Sequence, residues 1–70
     1  MTDSVYKVIE LIGTSPESWE KAAAAAIKMA AESLRDLRVA EVVEQDLTLE
    51  TGVIKAYRTK LRISFKYERE

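Results

Sequence analysis

Cysteine and histidine are absent from this 70-residue chain, and proline and glycine are scarce, with one and two copies. Their absence excludes disulfides, thiolate or imidazole zinc sites, redox dithiols, and Ser-His-Asp or Cys-His nucleophile pairs. The two glycines, Gly13 and Gly52, build no phosphate-cradling loop. An excess of either charge is also missing. Eleven cationic and 12 anionic side chains leave a formal charge of -1 without a basic tail, which argues against a nucleic-acid partner. No apolar run approaches the ~20 residues that cross a bilayer. The opening Met-Thr-Asp-Ser lacks the basic and apolar regions of a signal peptide, so the expected compartment is the cytoplasm, with no membrane partner. A chain this short buries only about 60% of the surface exposed when unfolded. One domain spanning 1–70 is expected, and with disulfides excluded, self-association or a metal must make up the deficit.

What is present alternates. Ser4 to Ile12 is rich in Val, Ile and Tyr and reads as a strand covered on both faces. Thr14-Ser15-Pro16-Glu17 reads as a helix start, with either Ser15 or Thr14 as N-cap. From Pro16 to about Leu34 a stripe of Trp19, Ala23, Ile27, Ala30 and Leu34 predicts an amphipathic helix roughly 28 Å long. The Ala22 to Ala26 run gives it a slim surface that another element can approach closely. Val39 to Leu49 and Val53 to Tyr67 are two long strands around Gly52. In the second, Val53, Tyr57, Leu61, Ile63, Phe65 and Tyr67 share one face, and Arg58, Lys60, Arg62 and Lys66 share the other. The fold class is therefore α+β: a β-α-β-β unit whose three-stranded antiparallel sheet packs on one helix.

A three-residue loop Glu50-Thr51-Gly52, with Gly52 left-handed, pairs Leu49 with Val53, Gln45 with Tyr57, Val43 with Thr59 and Glu44 with Arg58. Near Glu41 the apolar phase changes, which predicts a bulge, a bend or a second buried surface. Val42, Ala40, Val8 and Tyr6 are expected on an outer face that still needs cover, and self-association supplies it most simply.

Trp19 lies on the apolar stripe and reads as a core or interface anchor rather than a stacking platform. Glu17, Glu41, Glu44, Asp46 and Glu50 offer the hard oxygens that calcium and magnesium prefer, without EF-hand spacing. Surface ion pairs explain them more simply, but a symmetry axis would turn one outward carboxylate into a ring. The stripe of Arg58, Lys60, Arg62 and Lys66 suits phosphate oxygens, and cross-strand pairing with the acidic strand is the simpler account. Carboxylates and lysines alone do not make an acid-base catalyst, so no enzymatic activity is expected.

The segments Val5-Tyr6-Lys7-Val8-Ile9, Ile12-Gly13-Thr14-Ser15-Pro16, Arg38-Val39-Ala40-Glu41-Val42-Val43-Glu44-Gln45 and Tyr57-Arg58-Thr59-Lys60-Leu61 together resemble the dodecin family. The resemblance covers essentially the whole chain, in order. It implies a hollow homododecamer of β-α-β-β subunits that binds or stores small ligands and is not an enzyme. Many dodecins hold riboflavin or FMN against a tryptophan before the A-E-V-V segment and a glutamine after the tyrosine of the Y-x-T strand. Those positions are Val39 and Arg58 here, so the flavin site implied by the family is degraded. Valine offers no extended aromatic face, whereas arginine retains the ability to stack on a ring or hold a phosphate. The S-P-E-S-W-E segment after Gly13-Thr14, the E-Q-D of the second strand and the S-F-K near the end are most similar to the branch without that tryptophan, which includes calcium dodecin. Divalent cations, calcium first, are the ligand implied there. The resemblance implies that Glu17 and Glu44 match acidic positions that bind divalent ions in a flavin-binding dodecin, and Asp46 is a nearby carboxylate added to them.

Overall fold

In the computed structural model, which describes residues 3–67, strand β1 (Tyr6–Ser15) is followed by helix α1 (Trp19–Ser33) and by the hairpin strands β2 (Leu37–Glu50) and β3 (Val53–Lys66). The expected limits at 1 and 70, and the Met1-Thr2 part of the N-terminal reading, lie outside those residues. The sheet order is β1-β3-β2, antiparallel throughout, so the β-α-β-β expectation holds. Its most regularly alternating strand, β3, is central and forms hydrogen bonds on both sides.

The core follows from that alternation. Thr59, Leu61 and Ile63 of β3 are fully buried beneath Ala22, Ala26 and Ala30 of α1. Four-residue spacing puts these alanines on one helical face. Of the predicted stripe Trp19, Ala23, Ile27, Ala30 and Leu34, Ala30 is buried and Ala23 and Leu34 pack against the core, whereas Ile27 is exposed because the most buried line runs one position earlier, through Ala22 and Ala26. The reason lies in β1, where Gly13 faces the helix. A Cβ on Gly13 would stand 2.0 Å from the Ala22 carbonyl oxygen, so only glycine permits this approach, and the narrowest helical face turns toward it.

The helix starts later than predicted. β1 does not stop at Gly13 but pairs Thr14 with Arg58 and Ser15 with Tyr57. The Ser15 hydroxyl accepts from the Glu17 backbone N–H at 3.0 Å, which turns the chain instead of capping the helix. Ser18 is the N-cap, its Oγ accepting from the Lys21 N–H at 3.0 Å. Strand pairing through Ser15 overrode both earlier candidates.

The hairpin closes through two residues rather than three. Thr51 and Gly52 have φ values of 53° and 74°, the signature of a type I′ turn, and Glu50 lies opposite Val53. A second slip follows at Lys55, between the Thr48–Ala56 and Leu49–Ile54 pairs. Together they move the register two residues from the expected one. Gln45 faces Thr59 instead of Tyr57, and Asp46, not Glu44, faces Arg58. Face assignments on either side of Arg58 survive because two single-residue errors preserve parity. The bulge expected near Glu41 occurs between Val42 and Glu44, leaving Val43 without a partner. It sets Ala40 opposite Ile63 and Val42 opposite Leu61, on the helix side rather than the outer face expected for them. Val8 and Tyr6 lie on the outer face as expected, opposite Ser64 and Lys66.

α1 covers β1 and β3 and hardly reaches β2, so Val42 and Leu47 face the helix side without being buried. The hairpin runs past the end of β1 and stretches the chain to 55 × 20 × 14 Å. No helix among the described residues is long and apolar enough to cross a membrane.

Candidate functional site

Even-numbered residues of β3 send Arg58, Lys60 and Arg62 to the face away from α1, between the carboxylates of β1 and β2. Arg62 bridges both neighbours, with Nη2 2.9 Å from Glu10 Oε2 and Nη1 3.6 Å from Glu41 Oε1. Lys60 Nζ lies 3.8 Å from Glu10 Oε1. The hydrogen bond from Arg62, with the charge of Lys60, holds the Glu10 carboxyl below its ordinary range. These pairs are exposed, and each contributes little to stability alone.

Arg58 makes the tightest contact of this β3 row. Its Nε and Nη2 donate to Asp46 Oδ1 and Oδ2, both at 2.7 Å, in a two-pronged fork. The fork depresses the Asp46 pKa and raises that of Arg58, which also feels the charge of Glu44. Asp46 is fixed through its main chain too, because the Trp19 indole N–H donates to its carbonyl oxygen at 3.1 Å. Trp19 packs edge-on against Tyr57, ring centroids 5.2 Å apart, and its carbonyl accepts from the Thr59 hydroxyl at 2.9 Å. Trp19 is thus an anchor, as its place in the sequence suggested. Its partner is a main-chain oxygen, which carries no signature in sequence.

The remaining expected site residues are dispersed. Glu17 lies in the β1–α1 connection and pairs with Lys21. Glu44 stands opposite Lys60 on the outer face and, among the described residues, has no hydrogen-bond or ion-pair partner. Val39 lies opposite Ser64, whose hydroxyl is 3.5 Å from the Val39 carbonyl oxygen. Six residues of β3 separate Ser64 from Arg58, about 20 Å at ~3.3 Å per residue, so one chain does not bring Val39 and Arg58 together. Among the described residues no three carboxylates come close enough to hold a metal ion. An open apolar groove of about 200 Å³ lies beside Val39, lined also by Ile27, Leu37, Arg38, Ala40 and Ile63. A second groove, of about 240 Å³, lies between β1 and the exposed Met29 of α1.

Comparison with known proteins adds a family to this geometry. The family model described as Dodecin matches residues 5–68. The calcium dodecin of Mycobacterium tuberculosis is 56% identical over 63 residues, 90% of this chain and 89% of that protein. Its crystal structure, described as that of a calcium-chelating antigen with a novel calcium-binding site, aligns with a TM-score of 0.84 at 54% identity over 96% of both chains. A dodecin from Thermus thermophilus is 41% identical over 64 residues, 91% of this chain and 93% of the relative. The dodecin structure from Streptomyces coelicolor superposes with a TM-score of 0.93 at 30% identity, covering both chains completely.

Proposed function

Since the chain belongs to the dodecin family, we propose that it is a non-enzymatic binding protein, a twelve-copy shell that takes up divalent cations, calcium ahead of flavin. The observation that carries this reading is the Arg58–Asp46 fork. At the position implied for a flavin contact, the guanidinium is committed to a carboxylate through two 2.7 Å bonds, and Val39 supplies no aromatic plane. The high identity to a protein named calcium dodecin supports the cation half of the proposal.

Calcium takes six to eight oxygen ligands at ~2.3–2.6 Å, more than Glu17, Glu44 and Asp46 of one chain offer from their separate places. Copies related by symmetry supply the rest, each adding the same carboxylate to a shared ring. Glu44 is the best placed of the three, because it projects from the outer face without an ion-pair partner. Assembly also covers apolar groups that α1 leaves open on β2.

Calorimetry with calcium chloride on the assembled wild type, Glu44→Ala and Glu17→Ala tests the reading. Heat of binding in the wild type that weakens at least about tenfold in Glu44→Ala is expected. A silent wild-type trace, or traces identical in all three proteins, ends it.

The apolar groove beside Val39 favours flavin as the second reading. Riboflavin fluorescence quenched on titration with protein would support that alternative, and undiminished emission at high protein concentration would remove it.

A further inference from the structure

We propose that the helix-side face of the β2–β3 hairpin, a strip formed by Val42, Leu47, Leu49 and Ile54, is the surface on which a second copy of this chain docks. The inference rests on the shell reading and names the face through which copies meet. Register brings the four residues together. Val42 lies opposite Leu61, Leu47 opposite Tyr57 and Leu49 opposite Ile54, all on the side of the sheet that carries α1. Because α1 hardly reaches β2, the strip lies beyond the helix cover, and all four side chains are exposed. From Val42 to Leu49 it runs about 23 Å at ~3.3 Å per residue.

Charge distinguishes this face from the opposite one. Between positions 40 and 49 the helix-side residues of β2 carry no charge, with Gln45 their one polar member, whereas Glu41, Glu44 and Asp46 point outward. The buried centre of an interface is depleted in charge, which suits the helix side. The outer row instead meets its own needs through ion pairs to Arg58, Lys60 and Arg62. Surface area selects the occupant. The chain exposes 5516 Å², about 1,100 Å² more than the ~4,400 Å² expected of a compact 7.9 kDa chain. Its radius of gyration is 14.6 Å, where about 11 Å is expected of a compact chain this long. The surplus is close to the ~800 Å² that each partner buries in a standard interface. Every copy carries it, and a formal charge of -1 gives copies little mutual repulsion, so the chain is its own partner.

The chain has no cysteine, so a single thiol can be placed on either face and followed with N-ethylmaleimide. Leu49→Cys and Thr48→Cys put it on adjacent residues that point to opposite faces of β2. In one copy alone Leu49 is 62% exposed and Thr48 is half-buried, so an undocked chain labels faster at Leu49→Cys. Docking reverses that order. In the assembled protein, checked by native mass spectrometry, Leu49→Cys is expected to label at least about tenfold more slowly than Thr48→Cys. Equal or faster labelling of Leu49→Cys in an intact shell overturns the proposal and leaves the shell reading standing. A monomeric wild type overturns both. A particle whose mass includes a different chain overturns the choice of partner. Protection of Leu49→Cys in a shell that takes up no calcium supports the docking face and overturns only the cation reading. Should Leu49→Cys not assemble, Ile54→Cys, opposite it on the same face, decides by the same comparison.

Discussion

Gly13 and Ala22 meet where β1 passes under α1, and the contact leaves no room for a side chain. Gly13→Ala is expected to push the helix outward and cost about 1–3 kcal/mol, the range for an overpacked core. An unchanged thermal midpoint in that variant would contradict the packing described. Charge gives a second expectation at this scale. The Glu10 and Asp46 carboxyls are held low in the folded chain, first by hydrogen bonds from Arg62 and Arg58. The unfolded chain therefore binds these protons more readily. Their contribution is present above the ordinary carboxylate range, about pH 4, and is lost as pH falls through the lower folded values. Thermal unfolding followed from about pH 6 to about pH 3 is expected to show falling stability, with a shallower fall in Glu10→Gln; identical slopes would count against the Glu10–Arg62 contact. Alternation alone announced the charged row of β3 and the acid-rich strand beside it. It did not identify the partner of Arg58, which depends on a register set several residues away at the turn.

Each element shows what local pattern can and cannot carry. Strand identity and helix identity were legible, because period-two and helical spacings differ over long segments. Boundaries were less so: Ser15, Thr14 and Ser18 all suit a helix cap, and only the pairing of Thr14 and Ser15 with β3 decides among them. Ser18→Ala is expected to cost about 1 kcal/mol in urea or thermal unfolding, and an unchanged midpoint would remove Ser18 as the cap. The turn is one residue shorter than its residue types suggest, for a related reason. Thr51 is a β-branched residue at φ 53°, a conformation disfavoured for its type, so its identity does not announce a two-residue turn. Replacing it with asparagine creates the Asn-Gly pair that type I′ turns prefer. Thr51→Asn is expected to stabilise the hairpin by about 0.5–1 kcal/mol, and a loss of stability would argue against the turn assignment.

For the whole molecule, shortage of core was apparent from length, and the structure places it. α1 reaches across β1 and β3 and leaves much of β2 uncovered, while the hairpin extends beyond the end of β1. The family is legible because its segments recur in order along the chain. The ligand site is not, since Glu17, Glu44 and Asp46 form no metal-holding group among the described residues. Native mass spectrometry of the purified protein, desalted and then titrated with calcium chloride, tests assembly and cargo in one experiment. A particle of twelve 7.9 kDa chains that gains whole calcium ions, with fewer taken up by Glu44→Ala, is the expected result. A stable monomer, or a shell whose mass does not change with calcium, would contradict the account.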